Sequence, residues 1–357
     1  MMKRMSRRDF LKIGGVGLGL FVSPSLRDII ALNDFPDFDM LGRVCSGKVE
    51  IKAEPDTNSE TTGLLYDDAV VEWQYEVAGW NPTRINQRWV KTPDGYIWAP
   101  QLQAVKNEPN EPLAELPETS LGPGMWVEVT VPYVDLALDN PPARSPWLKN
   151  STAPRFYYSQ ILWADKIDVD ESGKTWYRIN ERYGYGDIFW AEASAFRQIQ
   201  PEEVSPINPD IDDKLVEINL TYQTMSCYEG SREVYFCRIS SGAKFNAAGE
   251  VVDKWATPVG EHPIWRKAMS MHMSGGTVSG GYDLPGIGWT TLFVGNGVAI
   301  HSTFWHNNYG VPMSHGCVNA KPDDAKWVFR WVQPVVAYDP GDITVSMPGG
   351  TRVRVVE

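Results

Sequence analysis

The chain has little cysteine and little histidine: four of one and five of the other in 357 residues. Cys45, Cys227, Cys237 and Cys317 form neither a CxxC pair nor a zinc-ribbon spacing. The histidines supply no HExxH or HxH pair. Positive charge is outweighed, with 33 Lys and Arg against 45 Asp and Glu and a net charge of −12. That balance argues against nucleic acid or an anionic wall polymer as an electrostatic partner. The apolar run Ile13 to Val22 is too short to cross a bilayer comfortably. With 31 glycines and 26 prolines, the composition favours strands and turns over long helices.

The basic start "MMKRMSRRDFLK" opposes the overall charge, and its Arg7 and Arg8 precede the short apolar run. The glycines in "GGVG" make this a poor helix, so residues 1–35 read as a twin-arginine export signal that is either cleaved or retained as an anchor. The expected location is the cell envelope, with the membrane touched only through an uncleaved signal and the protein a monomer. Loss of residues 1–30 would move the net charge from −12 to −16. Export raises the question of disulfides. A two-residue turn at Gly230-Ser231 would place Cys227 opposite Val234 and Cys237 opposite Thr224, so both are expected as buried thiols.

Residues 36–106 alternate apolar and polar positions in short bursts with an Asp-Gly turn in "TPDGY", and read as a small all-β unit. Residues 107–121 are acidic and proline-rich, a linker. A second β unit spans 122–204, and its close "WYRINERYGYGDIFWAEASAFRQI" repeats the pattern of "RWVKTPDGYIWAPQLQAV". Trp73, Trp89, Trp98, Trp176 and Trp190 are expected in the cores of these units rather than on a ligand-binding face. From residue 205 onward "KLVEINL" reads as a strand partnered by "REVYFCRI". "TTLFVGNGVAIHS" reads as a hairpin ending at His301, and "KPDDAKWVFRWVQP" as a helix begun by Pro322 and closed by Pro334.

All five histidines fall in this last third, and "HSTFWHNNYGVPMSHGCVN" crowds three of them beside Cys317. A free thiol has a pKa near ~8.5 and needs a base or a positive environment to act as a nucleophile. His301 and His315 are candidates for the base. Gly316 clears space for a carbonyl and for backbone N–H groups facing an oxyanion. Ser302 can orient the His301 ring through its carbonyl or hydroxyl. Zinc held by His301, His306, His315 and Cys317 is the competing chemistry, but no carboxylate stands ready beside it as a base.

"SHGCVN" (Ser314 to Asn319), preceded by "AIHS", resembles the signature of the L,D-transpeptidase catalytic family. Segments along 214–357, among them "TPVGEHPI", "DLPGIGW" and "GTRVRVV", agree with it. The resemblance implies Cys317 as nucleophile, His301 as base, Ser302 holding the ring, and His315, Gly316 and Cys317 framing the oxyanion. "WHNNYG" and "MHMSGG" read as loops flanking the site; Ser314 and Asn319 of the motif, Tyr282, Trp289 and Trp305 as groove walls or else packed core, and His272 and His306 as hydrogen-bond donors are the candidates for a substrate groove, with no metal or cofactor expected. The family transfers the acyl group of a peptidoglycan stem tetrapeptide, releasing terminal D-alanine and cross-linking a second stem. Water as acceptor would make an L,D-carboxypeptidase, and a blocked cysteine would leave an inactive wall-binding protein. His301 before Cys317 is the reverse of the order in papain-like wall endopeptidases. Asn319 stands where many members carry arginine, and Ser302 where many carry glycine, so carboxylate recognition would fall to Arg266, Lys267 or backbone. The two N-terminal units resemble bacterial SH3-like modules. The expected fold is thus mostly β and multidomain: two small SH3-like β-barrels, then a β-rich catalytic domain (205–357) with one helix after the cysteine.

Overall fold

A computed structural model describes residues 34–151, 153–243, 250–251, 255–275 and 282–357, so the twin-arginine stretch lies outside the described residues. Among the described residues no helix is long and apolar enough to cross a membrane. The chain is mostly β, with α-helices at Pro146–Asn150 and Pro322–Trp331.

The first unit is a three-stranded sheet (Val70–Glu72, Leu41–Val44, Leu102–Val105) beside a five-stranded one in which Val49–Lys52 pairs with Gly95–Trp98. The second unit is a six-stranded sheet centred on Thr175–Asn180 and Ile161–Val169, with a two-stranded ribbon. No sheet closes into a barrel among the described residues. The two units nevertheless end alike. Each runs hairpin, one turn of 3-10 helix (Ala99–Gln101; Ala193–Ala195), then a short strand. That strand returns antiparallel to an early strand of its own unit, Leu41–Val44 in one and Met125–Val129 in the other. Trp73, Trp89, Trp176 and Trp190 are buried in these units, while Trp98 is half-buried. The proline-rich stretch 107–121 lies against the second unit, where Leu113 and Leu116 pack on its core and Leu113 N–H donates to Tyr177 Oη at 2.7 Å.

The last third builds two five-stranded sheets. One contains β1 (Lys214–Asn219), β2 (Thr224–Glu229), β3 (Arg232–Arg238), β4 (Gly260–Pro263) and β10 (Arg352–Val356), in the order β3-β2-β1-β10-β4. The other contains β5 (Arg266–Gly275), β6 (Tyr282–Val294), β7 (Val298–Ser302), β8 (Val318–Ala320) and β9 (Asp342–Thr344), in the order β8-β7-β6-β5-β9. Period-two alternation turns Val216 and Ile218 of β1 inward. There they share one core with Met269, Phe293 and Ile300 of the second sheet and with Val328 and Phe329 of the helix. Trp126, Ile161 and Trp163 of the second unit belong to the same core. Gly288 marks that junction: a Cβ there would stand 2.5 Å from Ile161 Cγ1.

Several expectations are corrected. "REVYFCRI" does not pair with β1; β2, the intervening segment, does, and β3 pairs with β2. A bulge at Cys227/Tyr228 shifts that hairpin by one residue, so Cys227 lies opposite Tyr235 and Cys237 opposite Met225. Both cysteines are free and buried. Between Cys317 and the helix stands β8, a strand not expected there, which pairs parallel with β7. "MHMSGG" is not a loop, since Met271–Gly275 is the end of β5; Gly276 lies outside the described residues.

Candidate active site

β7 is buried along its whole length between β6 and β8. In the parallel β7–β8 pair His301 stands opposite Asn319. Cys317 lies in the turn that leads into β8, two positions ahead of Asn319. A cavity of about 400 Å³ opens there, lined by Met273, Tyr282, Leu284, His301, Trp305, Met313, Ser314, His315, Cys317 and Asn319.

His301 is 2% exposed, and its Nδ1 lies 2.8 Å from the Ser302 carbonyl oxygen. A carbonyl only accepts, so Nδ1 carries the proton and Nε2 is the free acceptor. The orienting group is thus the Ser302 backbone. Burial pushes His301 down to about 4 against the pull of that carbonyl, leaving a neutral imidazole at pH 7. Burial pushes the Cys317 thiol up to about 11, opposed by a backbone hydrogen bond from Ala299. At rest the site holds a thiol and a neutral imidazole, not an ion pair.

The turn carrying the cysteine is braced. Ser314 Oγ donates to the Cys317 carbonyl at 2.5 Å and accepts the Gly316 N–H at 3.1 Å. Thr257 Oγ1 donates to the Gly316 carbonyl at 2.8 Å. Gly316 has φ +123°, which only glycine adopts without strain. Its N–H is therefore engaged inside the turn. Ser314 is likewise occupied in the turn. The His315 ring is packed edge-on to Trp255 at 4.3 Å and lies 5.2 Å from Tyr282.

Three residues expected along the groove lie elsewhere. Trp289 is core, edge-on to Phe329 of the helix at 5.4 Å. His272 is buried between Glu181 of the second unit and Asp283, with Nδ1 2.7 Å from Glu181 Oε2. His306 sits behind Asn319, with Nε2 2.9 Å from the Asn319 amide. Nor are the two basic candidates free: Lys267 donates to the Val332 and Pro334 carbonyls, and Arg266 pairs with Asp342 at 3.5 Å. Met273, Leu284 and Met313 line the pocket without having been singled out. The alternation of β5 and β6 was the available signal for the first two.

His306 Nδ1 accepts the Asn308 N–H at 3.2 Å, and burial with the nearby His301 holds His306 down at about 3, hence neutral. Its proton is then on Nε2, which must donate. The amide atom facing it is the oxygen once the Asn319 side chain is turned end for end. Two adjacent buried histidines therefore hold opposite tautomers, Nδ1–H in His301 and Nε2–H in His306. Long-range ¹⁵N–¹H spectra at pH 7 check this directly. A proton on His306 Nδ1 would contradict it.

The family model of YkuD, the L,D-transpeptidase catalytic domain, matches residues 213–355. This stretch is an L,D-transpeptidase catalytic domain. No curated protein matches the chain. Solved structures similar to it include the Ldtfm–avibactam carbamoyl enzyme (25% identity over 42% of this chain and 51% of that one, TM-score 0.31). Another is the catalytic domain of the E. faecium L,D-transpeptidase (25% identity over 41% and 98%, TM-score 0.31). A third is an L,D-transpeptidase from Mycobacterium smegmatis (19% identity over 54% and 82%, TM-score 0.32). The chain thus spans about half the length of the first of these. The L,D-transpeptidase domain of this chain contains the cavity's whole lining, Met273 to Asn319.

Proposed function

We propose that the protein is a peptidoglycan L,D-transpeptidase acting outside the cytoplasm, delivered by its twin-arginine segment. The supporting observation is one pocket holding Cys317 and a neutral His301 whose free ring nitrogen is Nε2. Cys317 Sγ attacks the carbonyl of the L-centre residue in a stem tetrapeptide while His301 Nε2 takes the thiol proton. The oxyanion meets the Cys317 N–H. Collapse breaks the peptide bond, and the imidazolium gives its proton to the leaving D-alanine amine. An amine of a second stem then attacks the thioester and returns the sulfur as a thiol, its proton passing through His301. The SH3-like reading of the two N-terminal units belongs to this proposal, supported by their matched endings, and they serve to hold the catalytic domain.

Intact mass of the protein incubated with a disaccharide-tetrapeptide, beside Cys317→Ala, tests this reading. An adduct on the wild type only, with D-alanine release and then dimer, is expected. Release with tripeptide monomer alone would indicate an L,D-carboxypeptidase. No adduct on the wild type would leave a wall-binding protein.

A further inference from the structure

A second cavity, of about 390 Å³, lies across the Met313–His315 turn from the catalytic pocket. Met313, Ser314 and His315 line both, so this turn is the partition between them. Trp255 and the turn form one wall. The first β unit supplies the other, through Arg84, Ile85, Asn86 and Trp98.

This wall is held rigidly at its base and bare at its tip. The Asn81 N–H donates to Gln87 Oε1 at 2.7 Å, and Gln87 Nε2 donates back to the Asn81 carbonyl at 2.8 Å. Trp98 Nε1 donates to the Asn86 carbonyl at 2.8 Å, and Asn86 Nδ2 reaches Asn308 of the catalytic domain at 3.3 Å. The loop between these ties holds out Ile85, 80% exposed, and Arg84. In a chain with net charge −12, the Arg84 guanidinium has no carboxylate partner among the described residues, and its neighbour is the Trp98 ring at 5.6 Å. An unpaired cation over an indole, next to an exposed isoleucine, suits a ligand with an aliphatic chain and a carboxylate.

Resting on the acyl-transfer reading above, we propose that this cavity receives the acceptor, an amine-bearing stem peptide whose free carboxylate meets Arg84. The first β unit is then part of the acceptor site and biases the thioester toward amine over water. The donor enters on the Cys317 side of the turn.

The test uses the full protein and a donor tetrapeptide, with a tripeptide stem as acceptor, either carrying its free carboxylate or amidated there. Arg84→Glu lowers the ratio of cross-linked to hydrolysed product by about fivefold to tenfold with the carboxylate acceptor, and Arg84→Lys restores most of it. With the amidated acceptor, wild type and Arg84→Glu give the same ratio. Equal ratios with both acceptors would overturn the acceptor site while leaving the thioester chemistry intact. A uniform loss with both would also overturn it, since the residue would then act on structure and not on the carboxylate. Wild-type enzyme that acylates but passes the acyl group only to water removes the acceptor site alone; wild-type enzyme that forms no adduct removes the transpeptidase reading with it.

Discussion

Replacing His301 by Gln lowers the acylation rate of Cys317 at pH 7 by about 10³-fold and changes the shape of its pH dependence. The size follows from what a positioned general base contributes, roughly 10²–10⁴-fold. The shape follows from the protonation of His301 and Cys317. With the thiol near 11, only about one molecule in 10⁴ carries a thiolate at pH 7, so the wild type depends on His301 taking the proton during attack. His301 titrates near 4, and its neutral form is the working one. Wild-type acylation should therefore rise through an acid limb near pH 4 and stay level across neutrality. The variant has no base, reacts only through thiolate, and should gain about tenfold per pH unit from pH 6 to 9. Stopped-flow acylation over pH 4–9 reads both limbs. A variant with a level profile at neutral pH would show that some other group takes the proton.

The placing of His301 and Cys317 in one pocket was legible because it is local. His301 and Cys317 lie 16 positions apart, and a hairpin strand followed by a glycine turn is enough to bring them together. The composition of "SHGCVN" carries its own mechanics: a hydroxyl to brace the turn and a glycine to permit φ +123°. The likeness of the two units was visible in outline, since both end in hairpin, 3-10 turn and strand, but its Trp-Ala match is not structural: Trp98-Ala99 opens the first 3-10 turn, whereas Trp190-Ala191 lies within a strand two residues before the second. What escaped was set by pairing over distance. β8 has three residues, too few for any periodicity to show, and exists because β7 offers it an edge. The bulge at Cys227/Tyr228 depends on how two strands meet, not on either alone. Trp289 was expected as a groove wall, yet the glycines beside it let the second unit approach β6, and its ring joins the core. Closure of the N-terminal sheets could not be judged from strand-like bursts, which open and closed sheets share.

His272 shows the same limit with the largest consequence for stability. The sequence offered a histidine near the site, but its partner Glu181 is 91 positions away in another unit. Asp283 closes on its other nitrogen and also accepts the Trp147 N–H at 2.7 Å, while Glu181 accepts the Gly286 N–H at 3.2 Å. Tyr185 covers the ring edge-on at 5.3 Å. Burial alone would depress the imidazolium, but the hydrogen bonds and charge of Glu181, then of Asp283, outweigh it and raise His272 to about 9 from 6.5. Because the folded pKa lies above the unfolded one, this stabilisation is complete below about pH 6.5 and is lost as pH rises through about 9. The shift corresponds to about 3 kcal/mol. The clamp also holds the site: Asp283 adjoins Tyr282, and the β5–β6 register it secures sets Met273 opposite Leu284, three residues of the pocket wall. His272→Gln leaves two buried carboxylates without their cation, a loss on the order of 3–5 kcal/mol. The thermal midpoint at pH 6 should fall by roughly 5–10 °C, and its decline between pH 6.5 and 9.5 should flatten. Adding Glu181→Gln should regain part of the loss by removing one of the stranded charges. A wild-type midpoint that does not move over that pH range, or a variant as stable as wild type at pH 6, would mean that the buried pair contributes nothing to holding the second unit on the catalytic sheet.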